Sequence, residues 1–430
     1  MRLRWNDEDI DLADHALAQS LVALGAKAGH RIAVLAGNTP LHVLLHVAAR
    51  RNGWTLVPLS LAAPPSLDRC DIVVQRQGAA ALEDWQGPLL VATDRGEPVG
   101  RRAGRLPPPG EPGPAYVLRT SGTTGEPHRI PVTWEMLDAH AAAASHRIGD
   151  SKDAVWSCVL GLHRVGGVAL LSRALHNGST ILLEPAYDAR RLAQHLRDGV
   201  THVSLVPTML RRLLDAWGHG PPPATLRCVL LGGDRAPEGL VQPALAAGWP
   251  VFCTYGMTES CSQAATATPD ERRNRPGTSG RPIDGVHIEA VDGELVVSGA
   301  TVAGGVHATG DLGRVDAEGF VFVTGRVGDR ITSGGAKVEP GTVEDVLRAH
   351  PAVVDACVVG LPDPEWGERV VAVVVLRGGH MPELATWCRT RLDRPEIPKI
   401  FLQAESLPRT EAGKLRRREV RTMLQASVPT

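Results

Sequence analysis

Short apolar runs alternate with segments of helical periodicity over most of the chain. Apolar side chains recur at helical spacing in 10–28 and 41–51, and apolar runs of strand length occupy 31–36 and 54–59. The pattern predicts further strands at 71–74, 155–160, 203–206, 228–231 and 251–254, and further helices at 136–146, 168–175 and 208–217. Strands that alternate with helices indicate an α/β fold with doubly wound, parallel sheets.

A different pattern begins near residue 286. Side chains alternate in 286–299 and 319–326, which predicts β-hairpins. A separate α+β pattern follows, with helices predicted at 343–349 and 382–392 and strands at 353–361 and 369–376. Because one hairpin closes at residue 326 and a new unit opens at Ile331, the predicted domains are 1–328 and 329–430. Segment 96–114 is rich in Gly, Pro and Arg, which predicts an exposed linker.

Composition narrows the class of protein. The apolar fraction is 43% and the charged fraction 22%, as in soluble globular proteins. A formal net charge of −1 argues against a nucleic-acid partner. No apolar run reaches the length of a membrane span, and the N-terminus is acidic where a signal peptide is apolar. The seven cysteines are scattered without a C-x-x-C pair, which predicts buried thiols in a reducing cytoplasm and no structural zinc.

A Ser, Thr and Gly cluster follows the apolar run 115–118. Small hydroxyl residues between glycines suit a backbone that turns its N–H groups toward an anion, and the hydroxyls add donors for phosphate oxygens. The cluster comprises Thr120, Ser121, Gly122, Thr123, Thr124 and Gly125. The alternative is an ordinary surface loop. The cluster does not match a Walker A loop, G-x-x-x-x-G-K-[ST].

The stretch 255–259, YGMTE, follows a predicted strand. The face of Tyr255 can stack on a purine, and the carboxylate of Glu259 can hold Mg²⁺ together with substrate phosphates. The alternative is a strand–turn–helix in which Glu259 is a solvated acid in the first helical turn.

A second acidic candidate lies at Thr309-Gly310-Asp311, where the sequence predicts a tight turn. Asp311 can accept hydrogen bonds from two ribose hydroxyls, and Arg326 can reach the same ribose. The alternatives are a turn aspartate that caps its own backbone and a surface arginine.

Four candidates lie at or after the carboxyl ends of predicted strands, where ligands of open α/β sheets bind: the cluster at 120–125, His163, the turn Gly232-Gly233 and the motif at 255–259. Arg173 is a further candidate, because an arginine inside the apolar run VALLSRAL is costly to bury without a partner. A substrate carboxylate is a suitable bidentate partner. The alternative is an ion pair with Asp or Glu on the exterior of the helix.

These motifs resemble those of the adenylate-forming superfamily, which includes acyl-CoA synthetases, luciferases and peptide-synthetase adenylation domains. Residues 120–127 match the first eight positions of its phosphate loop, T-S-G-[ST]-T-G-x-P-K-G, and YGMTE matches its adenine and magnesium motif. The pattern TGDLG…GFVFVTGR is intact, and 407–415 contains the PRTxxGK signature that marks the family's catalytic lysine.

The resemblance implies a large N-terminal domain with doubly wound mixed and parallel sheets and a small β-barrel-like part, followed by a small mobile α+β C-terminal domain. It implies that a carboxylic acid attacks the α-phosphorus of ATP and that a thiol then displaces AMP. The expected cofactors and partners are ATP, Mg²⁺, coenzyme A and a small-molecule acid, in the cytoplasm, and the resemblance leaves a homodimer open.

The resemblance also assigns roles to individual residues. The catalytic residues it implies are Lys414, Glu259 (also the metal ligand) and the gate residue His163. The residues implied to bind ATP are Thr120, Ser121, Gly122, Thr123, Thr124, Gly125, Tyr255, Gly256, Met257, Thr258, Asp311 and Arg326. The acid-binding residues are Arg173, Gly232 and Gly233, and the hinge and the coenzyme A tunnel are Asp329, Gly334 and Gly335. An ordinary β-hairpin turn is the alternative for Gly334-Gly335.

Among the subgroups, the chain most resembles the o-succinylbenzoate–CoA ligases of menaquinone synthesis. The shared features are the short length, the stretch YGMTESCSQ, the form LLGGDRAPEGL, the compact C-terminal domain and the spacing of Arg173 to Gly178. The chain departs from the family at His128, where Lys is usual, at Arg129, where Gly is usual, and at Leu160, where Pro is usual. Arg129 can supply the missing cation one residue later.

Two other functions remain open on the sequence alone. One is a non-catalytic nucleotide- or acyl-binding homologue, against which the retained Glu259, Asp311, Arg326 and Lys414 argue. The other is an adenylating enzyme that activates another aryl or acyl acid or loads a carrier protein in secondary metabolism.

Overall fold

A computed structural model gives the fold and describes residues 1–12, 16–61, 67–80, 82, 84–120, 128–218, 220–409 and 415–427. The elements of the first part are β1 (Arg2–Trp5), β2 (Glu8–Ile10), α1 (Ala16–Ala23), β3 (Arg31–Leu35), α2 (Pro40–Asn52), β4 (Thr55–Pro58), β5 (Ile72–Arg76), β6 (Leu89–Ala92), β7 (Pro98–Arg102), β8 (Tyr116–Thr120) and β9 (His128–Val132).

The middle of the chain contains α3 (Trp134–Ile148), β10 (Val155–Cys158), α4 (Val165–Asn177), β11 (Thr180–Leu183), α5 (Ala189–Arg197), β12 (His202–Leu205), α6 (Pro207–Trp217), β13 (Cys228–Leu231), α7 (Glu238–Ala246), β14 (Val251–Tyr255), β15 (Ala265–Ala267), α8 (Pro269–Asn274) and β16 (Arg281–Pro282). Several helices end at glycines with positive φ, among them Gly149, Gly178 and Gly218. Glycine adopts this conformation without steric cost, so these residues stop the helices.

The last part contains β17 (Val286–Val291), β18 (Glu294–Gly299), β19 (Val306–Val315), β20 (Val321–Arg326), a 3₁₀ helix (Val327–Asp329), β21 (Ile331–Ser333), β22 (Ala336–Val338), α9 (Pro340–Arg348), β23 (Val353–Asp363), β24 (Gly367–Leu376), α10 (Leu384–Arg389), a second 3₁₀ helix (Arg394–Glu396), β25 (Ile400–Gln403) and α11 (Arg417–Ser427).

Two large mixed sheets form the first two-thirds of the fold. The seven-stranded sheet has the order β7-β6-β5-β3-β4-β8-β9, and the nine-stranded sheet has the order β16-β15-β14-β13-β12-β10-β11-β1-β2. Their central strands are parallel, and antiparallel strands lie at the edges. The central strands are buried and apolar, as expected where helices cover both faces of a parallel sheet.

Helices cover both faces of the nine-stranded sheet. One face packs on α4 through Leu170, Leu171 and Ala174, around the fully buried Trp156. The other face packs on α5, α6 and α7. The seven-stranded sheet buries one face against α1, α2 and α3. The α/β architecture of mixed sheets covered by helices confirms the predicted fold class, although helices cover both faces only of the nine-stranded sheet.

Two smaller sheets complete the fold. An antiparallel sheet has the order β17-β18-β19-β20 and encloses its own apolar core, as the predicted barrel-like part requires. The C-terminal residues form a five-stranded sheet around the long hairpin β23–β24, covered by α9, α10 and α11. The predicted boundary after residue 328 falls inside the first 3₁₀ helix, and the division into domains stays a prediction.

The structure corrects the sequence prediction in two places. The predicted helix 10–28 starts too early, because residues 8–10 pair with β1 as a strand and the described helix begins at Ala16. The predicted linker 96–114 contains strand β7, which pairs with β6 at the sheet edge. Most side chains of this edge strand are exposed, so it needs no alternation of apolar and polar residues. Its Gly and Arg residues therefore gave no strand signal in the sequence. No helix in the described ranges is long and apolar enough to cross a membrane.

Candidate active site

The candidate site residues of the nine-stranded sheet lie in the loops that follow β10, β13 and β14. These strands run parallel to each other or to β12 between them, so their carboxyl ends meet at one edge of the sheet. Gly232 follows β13, and its N–H donates to the carbonyl of Leu205 at the end of β12 at 3.0 Å. The predicted clustering at strand ends therefore holds for these loops.

Tyr255, Asp311 and Arg326 form the best-defined polar cluster of the site. The Tyr255 hydroxyl donates to Oδ2 of Asp311 at 3.0 Å, and Nε of Arg326 lies 2.8 Å from Oδ1 of Asp311. Asp311 and Arg326 are opposite each other in the β19–β20 pair. Burial and the adjacent Asp311 raise the pKa of Tyr255, so the hydroxyl stays a neutral donor. The cluster joins an aromatic ring, a carboxylate and a cation, the groups that the sequence predicts around a nucleoside.

The local structure around Asp311 differs from the predicted tight turn. Thr309-Gly310-Asp311 lie within β19, where the pairing with β18 shifts register and Gly310 has φ +70°. This is a β-bulge. Glycine with positive φ occurs in β-bulges as well as in turns, so the sequence does not distinguish the two. The bulge is held by Glu294, whose Oε1 accepts from the N–H of Gly310 at 2.8 Å. Asp311 does not cap its own backbone, because its N–H donates to Thr309 instead.

The loop after Tyr255 folds tightly back on itself. A Cβ at Gly256 would lie 1.5 Å from the carbonyl oxygen of Ser262, so only glycine fits there. Ser260 Oγ accepts from the N–H of Met257 at 3.1 Å, and Ser262 N–H donates to the carbonyl of Met257 at 2.9 Å. The main chain of 256–262 is therefore fixed by its own hydrogen bonds.

Glu259 lies in this loop and is half-buried. Its backbone carbonyl accepts from Ala303, but its carboxylate makes no hydrogen bond or ion pair with any residue that the structure describes. A half-buried carboxylate without a protein partner is available to a cation. One carboxylate beside substrate phosphates is the donor set that Mg²⁺ commonly takes.

Gly232 and Gly233 form a close turn beside this loop. A Cβ at Gly232 would lie 2.6 Å from Cγ2 of Thr254, and Gly233 has φ +80°. Both positions therefore require glycine. The structure does not test their predicted contact with the acid, which stays a prediction.

The phosphate-loop candidates are only partly visible. Thr120 ends β8, whereas Ser121, Gly122, Thr123, Thr124 and Gly125 lie outside the described residues. On the return strand, His128 pairs with Thr120 and is exposed, and Arg129 pairs with Arg119. Arg129 lies 3.7 Å from Oδ2 of Asp68 and donates to its carbonyl at 3.4 Å. Because successive strand residues face opposite sides, the Arg129 cation lies on the face away from His128.

This geometry leads to a prediction for His128. His128→Lys should lower the KM for ATP by about fivefold, because a permanent cation near a phosphate adds ~1 kcal/mol at a solvated site and an imidazole is mostly neutral at pH 7. Steady-state pyrophosphate release at varied ATP measures the change. His287→Lys, on the exposed strand β17, adds the same charge elsewhere and should leave the KM unchanged. An equal effect of both variants would contradict a local role for position 128.

His163 lies between β10 and α4. Its ring folds over Gly161, where a Cβ would be 2.6 Å from Cε1 of the imidazole, and its Nε2 accepts from Nε of Arg164 at 3.2 Å. His42 of α2 is close enough for their charges to repel, and burial lowers the pKa of His42 to about 3. His163 is thus half-buried at the junction of the two large sheets.

Arg173 points into the protein interior from α4 and is only 2% exposed. Nη1 donates to Oε1 of Gln263 at 2.7 Å, Nε lies 3.8 Å from Oδ2 of the buried Asp150, and the guanidinium stacks on Trp156 at 4.4 Å. Burial lowers the pKa of Arg173 and raises that of Asp150. The ion pair that the sequence left open exists, but it lies in the interior rather than on the helix exterior.

The pair retains unused hydrogen-bonding capacity. Nε of Arg173 and Oδ1 of Asp150 are buried without a hydrogen-bond partner among the described residues. Gln263 links Arg173 to the loop after Tyr255, and its backbone N–H donates to Nε2 of His140 at 3.3 Å. Burial lowers the pKa of His140 to about 3, so its ring is a neutral acceptor. Gln263 therefore connects Arg173 to the loop after Tyr255.

Sequence reasoning missed three residues that shape the site: Asn38, Glu294 and Gln263. Asn38 follows β3 and bonds the loop that carries His163. Asn38 follows a predicted strand, and its burial, which marks it as a cross-link, is visible only in the structure. Glu294 and Gln263 follow no recognisable spacing, because their partners are distant in sequence.

The C-terminal candidates are partly described. Gly334 and Gly335, with φ +57° and +81°, form the two-residue turn of the β21–β22 hairpin, which is the alternative that the sequence left open. Oδ2 of Asp329 lies 3.2 Å from Nε of Arg417. Lys414 lies outside the described residues. Arg235, after the Gly232-Gly233 turn, pairs with Asp345 of α9 at 2.6 Å and joins the loop to the C-terminal sheet.

Comparisons with known proteins identify the family of the chain. The profile of the AMP-binding enzyme family matches residues 8–311, and that of the AMP-binding enzyme C-terminal domain matches 342–414. A 2-succinylbenzoate–CoA ligase of Bacillus cereus is 34% identical, over 95% of this chain and 92% of that protein.

Two solved structures are similar over nearly the whole fold. The o-succinylbenzoate CoA synthetase of Bacillus subtilis in complex with the acyl-adenylate intermediate OSB-AMP has a TM-score of 0.86 and 28% identity, and the match covers 97% of this chain and 94% of that chain. The same enzyme with ATP and magnesium ion also has a TM-score of 0.86 and 28% identity, with 97% and 95% covered.

Proposed function

The chain belongs to the AMP-binding enzyme family, and we propose that within it the chain is the ligase that joins o-succinylbenzoate to coenzyme A. The carboxylate oxygen of the acid attacks the α-phosphorus of ATP, and pyrophosphate leaves. The thiol sulfur of coenzyme A then attacks the acyl carbon, AMP leaves, and the thiol proton is released. The observation that carries this proposal is the whole-chain likeness to the enzyme solved with OSB-AMP.

Tyr255, Asp311 and Arg326 form the nucleotide side of the proposed site. The carboxylate of Asp311 accepts hydrogen bonds from the two ribose hydroxyls and is held in place by Arg326. Tyr255 presents an aromatic face to the adenine. Because Asp311 is held from both sides, its oxygens keep their positions when the nucleotide binds. This reduces the ordering that binding must supply.

Glu259 is the residue that would hold Mg²⁺, together with the phosphates of ATP. Its carboxylate, which has no hydrogen bond or ion pair with a described residue, fits this role. When bound there, the ion neutralises phosphate charge.

Arg173 and Gln263 form the proposed acid side. o-Succinylbenzoate carries two carboxylates, and only one reacts with ATP. The other is recognised at the Arg173–Gln263 pair, where Nε of the buried guanidinium has no hydrogen-bond partner among the described residues. The stacked Trp156 and the carboxylate of Asp150 hold that guanidinium in one orientation. Gly232 and Gly233 leave room for the aromatic body of the acid.

The C-terminal part supplies the second half of the reaction. Lys414 provides the cation at the α-phosphate, the C-terminal domain turns about Asp329, and the Gly334-Gly335 turn lines the path of the coenzyme A thiol. Because glycine has no side chain, a ligand can approach the backbone of that turn closely. The reaction takes place in the cytoplasm, which agrees with seven free thiols.

A substitution of Arg173 tests the acid side. Arg173→Ala should raise the KM for o-succinylbenzoate by about 10-fold to 100-fold and that for ATP far less, because a charged hydrogen bond contributes ~1.5–3 kcal/mol. Arg197→Ala, which removes an arginine stacked on Trp217, is the matched control and should change neither. Thermal melting checks that the unpaired Asp150 does not unfold the variant. Equal effects on both KM values would refute the assignment.

A panel of acids tests the substrate. The purified protein is incubated with ATP, Mg²⁺, coenzyme A and either o-succinylbenzoate, benzoate, succinate or a fatty acid, and the thioester is identified by mass. The proposal predicts a much higher kcat/KM for o-succinylbenzoate than for the others. Preference for a monocarboxylic acid would support the enzyme class but refute o-succinylbenzoate as the substrate.

A further inference from the structure

Asn38 connects the two large sheets through three hydrogen bonds. Its Nδ2 group donates to the carbonyl of Leu160 at 2.9 Å and to the carbonyl of Glu184 at 3.2 Å. Its Oδ1 accepts from the N–H of Leu162 at 2.8 Å. The residue follows β3 of the seven-stranded sheet and is 8% exposed, whereas its partners follow β10 and β11 of the nine-stranded sheet.

The three bonds use both halves of the amide. Two donors meet two carbonyls and one acceptor meets one N–H, a combination that an amide side chain offers and a carboxylate or hydroxyl of that reach does not. The partners are backbone groups in a buried junction, where an unpaired polar group is costly. The three partners therefore require the two donors and the acceptor of an amide at position 38, and not only a side chain of that size.

Two of the three bonds hold the segment that carries His163. Leu160 and Leu162 flank Gly161, and His163 follows directly. The His163 ring packs over Gly161, where a Cβ would come within 2.6 Å, and Gly161 in turn packs against Gly167 of α4. Because Asn38 bonds the main chain of Leu160 and Leu162 and the ring lies over Gly161, His163 has little freedom to move.

We propose that Asn38 is a positioning residue for His163: its side-chain amide fixes the 160–163 segment across the sheet junction and so sets the imidazole at the acid site. The inference rests on the proposed function and on the gate role that the family resemblance implies for His163. A purely structural cross-link is the competing explanation. It predicts lost stability with equal effects on every substrate, whereas positioning predicts a selective loss that depends on His163.

A double-substitution cycle separates these explanations. Asn38→Ala should lower kcat/KM for the acid by about tenfold to a hundredfold, the size expected for a misplaced group, with the KM for ATP nearly unchanged. In the His163→Ala background the same substitution should lower kcat/KM less than about twofold, because its target is gone. Asn52→Ala, which removes one side-chain bond to Ala48 on the same helix, should match wild type. Equal losses in both backgrounds would overturn the proposal.

A chemical probe gives a test that requires no substrate. Diethyl pyrocarbonate acylates accessible imidazoles, and peptide mass spectrometry measures the rate at each histidine. In Asn38→Ala, acylation of His163 should accelerate severalfold, whereas His146, with 80% of its side chain exposed, should keep its rate. An unchanged rate at His163 would overturn the proposal even if o-succinylbenzoate proved to be the wrong acid. If the alanine variant does not fold, Asn38→Asp keeps the size and the acceptor, loses both donors, and should show the same direction.

Discussion

Lys414→Ala should slow acyl-adenylate formation by about 10²–10³-fold, the usual loss when one preorganised group at a developing charge is removed. In the proposed mechanism, the Lys414 cation meets negative charge on a non-bridging oxygen of the α-phosphate. Thioester formation from preformed acyl-adenylate should change little, because that step occurs after the C-terminal domain has turned. Pyrophosphate release measures the first step, and thioester formation from synthetic acyl-adenylate and coenzyme A measures the second.

The described residues around Lys414 supply the control. Arg409 and Leu415, on either side of 410–414, form an antiparallel β-bridge. Arg416 is an exposed cation paired with Glu419 at 3.2 Å. Arg416→Ala removes a neighbouring positive charge and should leave both half-reactions near wild type. Equal slowing of the two half-reactions in Lys414→Ala would contradict the assigned role.

Asp311→Ala should weaken ATP binding by about 100-fold. Two hydrogen bonds from ribose hydroxyls to a carboxylate contribute ~1.5 kcal/mol each, and every 1.4 kcal/mol is a factor of ten. The substitution also leaves the Tyr255 hydroxyl and the Arg326 guanidinium without their shared partner. The KM for ATP in pyrophosphate release and direct binding of ATP both measure the loss.

Asp316 provides the matched control for Asp311. It lies in the turn of the same β19–β20 hairpin, where its carboxylate accepts from the N–H groups of Glu318 and Phe320 at 3.0 and 2.9 Å. This is the backbone-capping role that Asp311 does not have. Asp316→Ala should lower the melting temperature and leave ATP affinity unchanged. A similar KM in the two variants would mean that Asp311 acts only through the fold.

The sequence predicts well what depends on local pattern. Alternating strands and helices gave the doubly wound sheets, and the motif around Asp311 and Arg326 predicted a pair that the structure places opposite each other in one hairpin. Glycine signals were ambiguous, because positive φ serves a bulge as well as a turn, and so the bulge at Gly310 was wrongly predicted as a turn.

What escaped prediction depends on contacts between distant parts of the chain. The partner of Arg173 is Asp150 on the loop between α3 and β10, and the hydrogen bond from Arg173 to Gln263 spans 90 residues of sequence. Asn38 and Leu160 are 122 residues apart. Such pairs are set by the way the two sheets meet, which no periodicity encodes. The roles of the individual site residues remain predictions that the substitutions above are designed to test.

The most direct test of the central claim is pyrophosphate release from ATP, Mg²⁺ and o-succinylbenzoate, measured with and without coenzyme A. For a ligase we expect sustained turnover that requires both the acid and coenzyme A, with one thioester formed for each pyrophosphate. A single stoichiometric release of pyrophosphate that coenzyme A does not extend would indicate another acceptor, such as a carrier protein. Binding of ATP with no release of pyrophosphate for any acid would contradict the claim that the chain is a ligase.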